Sequence, residues 1–315
     1  MIVTLTPNPS LDRAITIPAL RRGEVIRATS SRVDPGGKGV NVSRALAAQG
    51  TATVAVLPSG GPEGHTMEDL LAEAGVTAAT VKVEGSLRMN ISVLEPDGTT
   101  TKLNEPGPTL TDDTVRELLA TTFTRAGSGG WVVGCGSLPP GAPDDLYATL
   151  VSAARRAGLS VAIDSSGTPM TYAVAASPTL IKPNHEELEE LVGASLDTLG
   201  DVVDAARTLV AGGIEIVAVS LGGDGAVLVT DDALVHASAT ISSPVSTVGA
   251  GDCMLAGLLH GLSRGERPAE ALAAAVTWGA AAVTLPGSRV PTPQDLQGIV
   301  VDVREDLDLT RTLQR

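Results

Sequence analysis

Between residues 112 and 285 the sequence alternates segments of strand length with segments of helix length, and that alternation limits the possible folds more than any other feature. The pattern predicts helix over 112–125, strand over 131–133, helix over 144–157, and strands over 160–164 and 179–182. Helices over 185–191 and 199–211 precede a strand over 215–220. A hairpin across 226–229 and 233–235, then helices over 250–263, 269–285 and 293–300, complete the series. Such order predicts an α/β fold with a mostly parallel sheet covered by helices on both faces. Ligands of such sheets bind at the carboxyl ends of the strands, so residues at those ends are the candidates for function.

The first hundred residues are less regular. A strand over 2–5, a helix over 40–49, a strand over 53–57 and a helix over 63–73 fit the same scheme. Two segments, about 12–33 and 88–103, instead read as short strands, the second as a hairpin around Asp97-Gly98. They are expected to form a small β-sheet that serves as a lid within a single domain spanning 1–315. The charged tail from Asp302 to Arg315 is expected to be peripheral.

Composition narrows the function. A net charge of −14 argues against nucleic acid and anionic membrane as partners, so an anionic substrate must be held by local cations or backbone amides. The 2 cysteines, Cys135 and Cys253, lie far apart, and with 4 histidines no metal-cage spacing occurs; buried free thiols are expected. No apolar stretch is long enough for a membrane span and no basic leader precedes one, which predicts a soluble, cytoplasmic protein.

Five turns, four of them glycine-rich, fall at or near strand ends. In Ser246-Thr247-Val248-Gly249-Ala250-Gly251-Asp252, Gly249 and Gly251 let the backbone approach an anion, and the free amides of the following helix favour negative charge. Asp252 at the mouth of such a site suits a general base, although Asp is also a common residue at a helix start. The turn Gly36-Gly37-Lys38-Gly39-Val40-Asn41 lacks the spacing of a Walker A loop and of a dinucleotide fingerprint. It would present Lys38 and Asn41 to a polar or phosphorylated ligand, or form a tight turn with a solvated lysine. Asp12 suits sugar hydroxyls or a turn; Arg88, beside Asn90, suits a phosphate or a surface ion pair. In Lys182-Pro183-Asn184-His185-Glu186-Glu187 the Asn184/Glu187 pair suits either a hydrated Mg²⁺ or a capping box. Ser220-Leu221-Gly222-Gly223-Asp224-Gly225 and Gly134-Cys135-Gly136-Ser137-Leu138-Pro139-Pro140-Gly141 are the remaining turns.

Taken together, these motifs resemble the PfkB (ribokinase-like) family of sugar kinases over essentially the whole chain. Gly-Gly-Lys-Gly-Val-Asn-Val, Gly-Ser-Leu-Pro-Pro-Gly, Lys-Pro-Asn-x-x-Glu and Thr-Val-Gly-Ala-Gly-Asp occur in the family order. The opening Thr6-Pro7-Asn8-Pro9-Ser10-Leu11-Asp12 and the run Lys102-Leu103-Asn104-Glu105-Pro106-Gly107 look most like the branch that acts on phosphorylated hexoses. The resemblance implies ATP as co-substrate, Mg²⁺ as cofactor, a monovalent cation as an open further requirement, and a homodimer formed through the lid. It implies transfer to the C6 hydroxyl of fructose 1-phosphate, giving fructose 1,6-bisphosphate. Fructose 6-phosphate and tagatose 6-phosphate are the alternative substrates, and a non-catalytic sugar-phosphate sensor is a more distant reading. Asp252 matches the base and Gly249, Ala250 and Gly251 the anion hole. Asp12, Gly37 and Asn41 match sugar contacts, Lys38 and Arg88 a phosphate grip. Lys182, Asn184, Ser220, Gly222 and Gly225 match nucleotide contacts; Glu187, with Asn184, matches the Mg²⁺ site through water. Cys135 and Cys253 stand where the family commonly has Ser.

Overall fold

Strand β1 (Ile2–Leu5) is buried at every residue and lies inside the larger of two sheets. The computed structural model describes residues 1–314. β2 (Ser10–Thr16) and β3 (Ser30–Gly36) follow, then α1 (Lys38–Ala48), β4 (Thr53–Ser59), α2 (Gly61–Glu73) and β5 (Thr77–Lys82). Next come β6 (Arg88–Leu94), β7 (Thr100–Asn104), α3 (Asp112–Ala126), β8 (Trp131–Cys135) and α4 (Leu146–Arg156). β9 (Ser160–Asp164), α5 (Gly167–Ala175), β10 (Leu180–Ile181), α6 (His185–Val192), α7 (Leu199–Ala211) and β11 (Ile216–Ser220) continue the alternation. β12 (Ala226–Val229), β13 (Leu234–Ala239), α8 (Ala250–Ser263), α9 (Pro268–Val283) and β14 (Val301–Arg304) end it.

The larger sheet has the order β14-β13-β12-β11-β10-β9-β8-β1-β4-β5. From β5 to β11 every pairing is parallel; β12, β13 and β14 add antiparallel. Side chains alternate along each strand, so Val3 and Leu5 pack with α3–α7 while Ile2 packs with α1, α8 and α9. Both faces are aliphatic, with Tyr147 the largest side chain fully buried in the first. Gly257 of α8 abuts α9 so closely that a Cβ would come within 2.8 Å of the Ala274 carbonyl oxygen. This is the α/β architecture that the alternation predicts. Its carboxyl-end loops all open on one rim.

The second sheet has four strands, β3-β2-β6-β7, from two distant parts of the sequence. Residues 25–28, read as strand, carry none; Val25 is 92% exposed, and no partner strand covers it. Besides β14 in the tail, two elements escape the sequence pattern. β5 is built from Thr and Ala as much as Val, and α5 starts on Gly-Thr-Pro. The helix expected over 293–300 is a series of turns.

The tail is not peripheral. Val301–Arg304 pairs with β13 at the sheet edge. Leu199 N–H and Gly200 N–H, at the start of α7, each donate 2.9 Å to Arg311 and Leu309 carbonyl oxygens, and Leu313 is buried. The cause is the buried Asp224 carboxylate, which accepts from the Arg311 guanidinium and, at 2.7 Å, from the Gln314 N–H. A charged residue inside a fold needs such partners. Arg311→Ala leaves that carboxylate short of its cation. We expect a loss of about 1–3 kcal/mol, read as a lower urea midpoint at unchanged slope; a midpoint equal to wild type would refute the clamp.

Candidate active site

Two helices that border the rim start on a left-handed glycine and have no side-chain cap. α1 follows Gly37 (φ 106°) and α8 follows Gly249 (φ 78°), both in the left-handed region that glycine tolerates. Their first amides are therefore free for a ligand. α6 contrasts with them. Asn184 Oδ1 accepts from Glu187 N–H at 2.7 Å, and Glu187 Oε2 accepts from Asn184 N–H at 2.9 Å, a complete capping box.

A cluster of alternating charges lies among these helix starts. Asp164 closes β9 and is 1% exposed. Its Oδ1 accepts from Lys38 Nζ at 2.7 Å, and Oδ2 faces Lys182 Nζ at 3.2 Å without a directed hydrogen bond. Lys38 Nζ also reaches Glu187 Oε1 at 3.2 Å. Burial alone would push Asp164 up, but Lys182 and Lys38 outweigh it and hold the carboxyl below its ordinary range. Burial likewise opposes the charge on Lys38, and Asp164 and Glu187 overcome it, raising its pKa.

Asp252 sits in the first turn of α8 and is buried. Its Oδ2 accepts from Asn41 Nδ2 at 2.9 Å. Burial, reinforced by Asp164, raises its pKa to about 7 against the pull of Asn41, Lys38 and Lys182. Gly249, Ala250 and Gly251 form the turn leading into it, and a Cβ on Gly251 would stand 3.5 Å from Lys182 Nζ. That space is a cradle lined by a cation and backbone amides, suited to a phosphoryl group.

A second group lies where β2 and β6 meet α1. Asp12 Oδ1 accepts from Ser10 Oγ at 2.7 Å and Asn90 Nδ2 at 3.1 Å, and Gly36 is packed so tightly on it that a Cβ would overlap the carboxylate. Burial raises the Asp12 pKa, against hydrogen bonds from Ser10 and Asn90 and the charge of Arg88. Arg88 donates to the Asn8 carbonyl oxygen at 2.8 Å. Buried atoms here have no partner within the chain: Asn8 Oδ1, Arg88 Nε and Asn90 Oδ1. Unpaired buried donors and acceptors of this kind are what a hydroxylated, anionic ligand would satisfy.

The structure thus brings Asp252, Asn41, Lys38, Lys182 and Glu187 together around Asp164, and Asp12 with Arg88 beside Gly37. Lys38 and Arg88, expected to share one phosphate, face different acids. Asn184 pairs in β-bridge fashion with Ser220, which carries the chain into Gly222 and Gly225. A Cβ on Gly225 would overlap the Ala237 carbonyl, whereas Gly222 and Gly223 face open space. A cavity of about 390 Å³ lies at the entrance, between Thr100 and Lys102 of β7 and residues 244–248 ahead of the anion turn. Cys135 and Cys253 are buried free thiols, with the Cys253 pKa pushed up to about 12 chiefly by burial.

Sequence reading missed Asp164; the available signal was a charged residue ending an apolar parallel strand. Among the described residues, no three His, Cys, Asp or Glu side chains gather as a metal cage. The carboxylate oxygens of Asp164 and Glu187 are the hard donors that a cation such as Mg²⁺ takes through water, with its other ligands from water and substrate. Among the described residues, no helix is long and apolar enough to cross a membrane.

A carboxyl whose folded pKa is raised favours the folded state at low pH and loses that contribution as pH rises towards its folded value. Asp252→Asn should therefore raise the melting temperature over wild type at pH 8, with a smaller gap at pH 5.5. A gap that ignores pH would contradict a carboxylate raised by burial.

Residues 7–295 match the family described as pfkB family carbohydrate kinase. A 1-phosphofructokinase of Rhodobacter capsulatus is 36% identical over 300 residues, 95% of this chain and 95% of the relative. The ATP-dependent 6-phosphofructokinase isozyme 2 of Escherichia coli K12 is 36% identical over 301 residues, 95% of this chain and 97% of the relative. The crystal structure of phosphofructokinase-2 from Escherichia coli in complex with potassium superposes with a TM-score of 0.90 at 34% identity, covering 95% of this chain and 97% of that one. Ribokinase from Thermotoga maritima, at 20% identity and a TM-score of 0.76 over 94% of this chain and 98% of its own, shares the fold.

Proposed function

The chain belongs to the pfkB family of carbohydrate kinases, and from that premise we propose that it transfers the terminal phosphoryl group of ATP to the C6 hydroxyl of fructose 1-phosphate. The observation that carries the reading is Asp252: a buried carboxylate beside the anion turn, fixed by Asn41 and near neutrality in pKa. The sugar hydroxyl gives its proton to Asp252 as its oxygen attacks the phosphorus, and ADP leaves on the opposite side. The amides of Gly249, Ala250 and Gly251 stabilise the charge that develops on the transferring group. Lys182 and Lys38 stand beside the same group; Arg88 and Asp12 hold the sugar phosphate and hydroxyls, with Gly37 and Asn41. The turn from Ser220 to Gly225, with Asn184, receives the nucleotide. Asp164 and Glu187 would hold Mg²⁺ through water, and Asn184, engaged as the cap of α6, fixes Glu187. When bound, the ion neutralises phosphate charge.

The equal identity of the E. coli 6-phosphofructokinase supports a second reading, with the sugar phosphate turned end for end. The potassium in the E. coli structure supports a monovalent-cation requirement here. Val245 and Ser246 N–H groups meet the Val283 carbonyl beside α8, which brings together loops offering neutral main-chain oxygens of the kind such an ion takes. One assay tests these points: ADP release with Mg-ATP on fructose 1-phosphate, fructose 6-phosphate, tagatose 6-phosphate and fructose, with and without K⁺. We expect the highest kcat/KM on fructose 1-phosphate, stimulation by K⁺, and a loss of about 10²–10⁴ in Asp252→Asn. A preference for a 6-phosphate moves the function to the second reading, and near-normal turnover of Asp252→Asn refutes the base.

We assign the four-stranded sheet as a lid over the crevice and as a homodimer interface. Its strand β7 and the turn after β2 expose Leu103 and Leu20, 57% and 48% accessible, on a chain of otherwise strongly acidic surface. Light scattering should give a dimer for the wild type and a shift towards monomer for Leu20→Asp/Leu103→Asp; a wild-type monomer would refute this interface.

A further inference from the structure

Arg44 occupies the second turn of α1, three residues after Asn41, and is 8% exposed. A basic side chain on such a helix usually reaches solvent. Here the guanidinium is buried beneath the site. Its NH1 donates to Asn41 Oδ1 at 3.0 Å, to the Pro35 carbonyl oxygen at 3.0 Å and to the Ser288 carbonyl oxygen at 3.2 Å. Nε has no partner. The charged neighbours are Asp34 and Arg32 on β3 and Asp12 on β2, with Cys253 on α8; burial nevertheless lowers the Arg44 pKa. Burying a cation against two main-chain oxygens and an amide is costly, and the arrangement exceeds what packing of α1 requires.

The three acceptors belong to three parts of the site. Pro35 lies on β3 opposite Leu11, one residue from Asp12 on the paired strand. Ser288 backs the anion turn: a Cβ on Gly249 would stand 3.7 Å from its Cα. Asn41 contacts Asp252 itself. A guanidinium only donates, so the Asn41 edge that faces it must be the oxygen. The NH₂ edge is then compelled to face Asp252 Oδ2. Without Arg44 the amide could turn over and set its oxygen against the carboxylate. With Arg44 present, Oδ2 of Asp252 is occupied by a donor and Oδ1 is the oxygen left for a substrate proton.

We propose that Arg44 is a positioning residue that orients Asp252 through Asn41 and keeps it in register with the anion turn and with β3. The inference rests on the reading of Asp252 as the base. Arg44→Met should lower kcat about 10- to 100-fold, the cost of misplacing a reacting group, and leave KM for ATP within about twofold. Arg44→Lys, which restores a donor but not the fork, should recover part of the loss. In an Asn41→Ala background, Arg44→Met should cost less than about twofold more, because the two act in series. Should Arg44→Met prove insoluble, Arg44→Lys carries the same cycle at temperatures well below its melting transition.

Equal factors with and without Asn41, or a normal kcat alongside a lowered melting temperature, would make Arg44 a packing residue and overturn the proposal. Asp252→Asn is measured in parallel. If it is inactive while Arg44→Met is normal, only the role of Arg44 falls. If it turns over normally, the assignment of the base falls first.

Discussion

The ion pairs of Asp164 with Lys38 and Lys182 are the interaction on which the site depends. A carboxylate buried at the end of a parallel strand survives as an anion only if the cost of leaving water is offset, and here two ammonium groups do so. Each cation comes from a different segment: Lys38 is the first residue of α1 and Lys182 directly follows β10. The acid therefore fixes where α1 begins relative to the central sheet. It also acts on Asp252, whose pKa rises further because Asp164 is charged nearby, while the same two lysines restrain that rise. The poise of Asp252 near neutrality belongs to the whole group and not to one residue.

Around this pair the fold distributes capping unevenly. α6 and α7 satisfy their first amides with complete boxes, Asn184/Glu187 and Thr198/Asp201, and the tail adds two carbonyl acceptors to α7. α1 and α8 enter on left-handed glycines with no such partner. A bound anion would complete those two ends, so part of the cost of forming them is recovered only with substrate present. This agrees with the unpaired Asn8 Oδ1, Arg88 Nε and Asn90 Oδ1 around Asp12. Both halves of the crevice are polar surfaces arranged ahead of a ligand.

How much of this the sequence discloses depends on whether the signal is local. The parallel sheet is legible because strands buried on both faces are continuous apolar runs, and the glycine turns are legible because only glycine tolerates those conformations. α5 and β5 are not, since Gly-Thr-Pro and Thr-Ala-Ala-Thr carry little periodicity and tertiary packing decides them. The tail reads as solvated because its charges are visible and their partner is not: Asp224 lies 87 residues before Arg311. Arg44 fails for the same reason. Its three carbonyl acceptors come from β3, α1 and the loop after α9, and only the folded chain brings them together.

The same separation bears on substrate choice. On the proposed reading, the groups around Asp164 would address the reacting hydroxyl and the nucleotide, and none of them would distinguish one end of a phosphorylated ketohexose from the other. That reading leaves discrimination to Asp12, Asn90, Arg88 and Asn8, on and beside the smaller sheet, where Gly107 packs against Asn8 and Asn8 donates to Ser137 at a long 3.5 Å. These contacts join β2, β6 and the segments after β7 and β8, and none of them includes a member of the charged group at Asp164. Relatives of equal identity that act on 1-phosphates and 6-phosphates are what such a division would produce. On the proposed reading, the chemistry belongs to the rim of the large sheet and the choice of sugar phosphate to the small sheet.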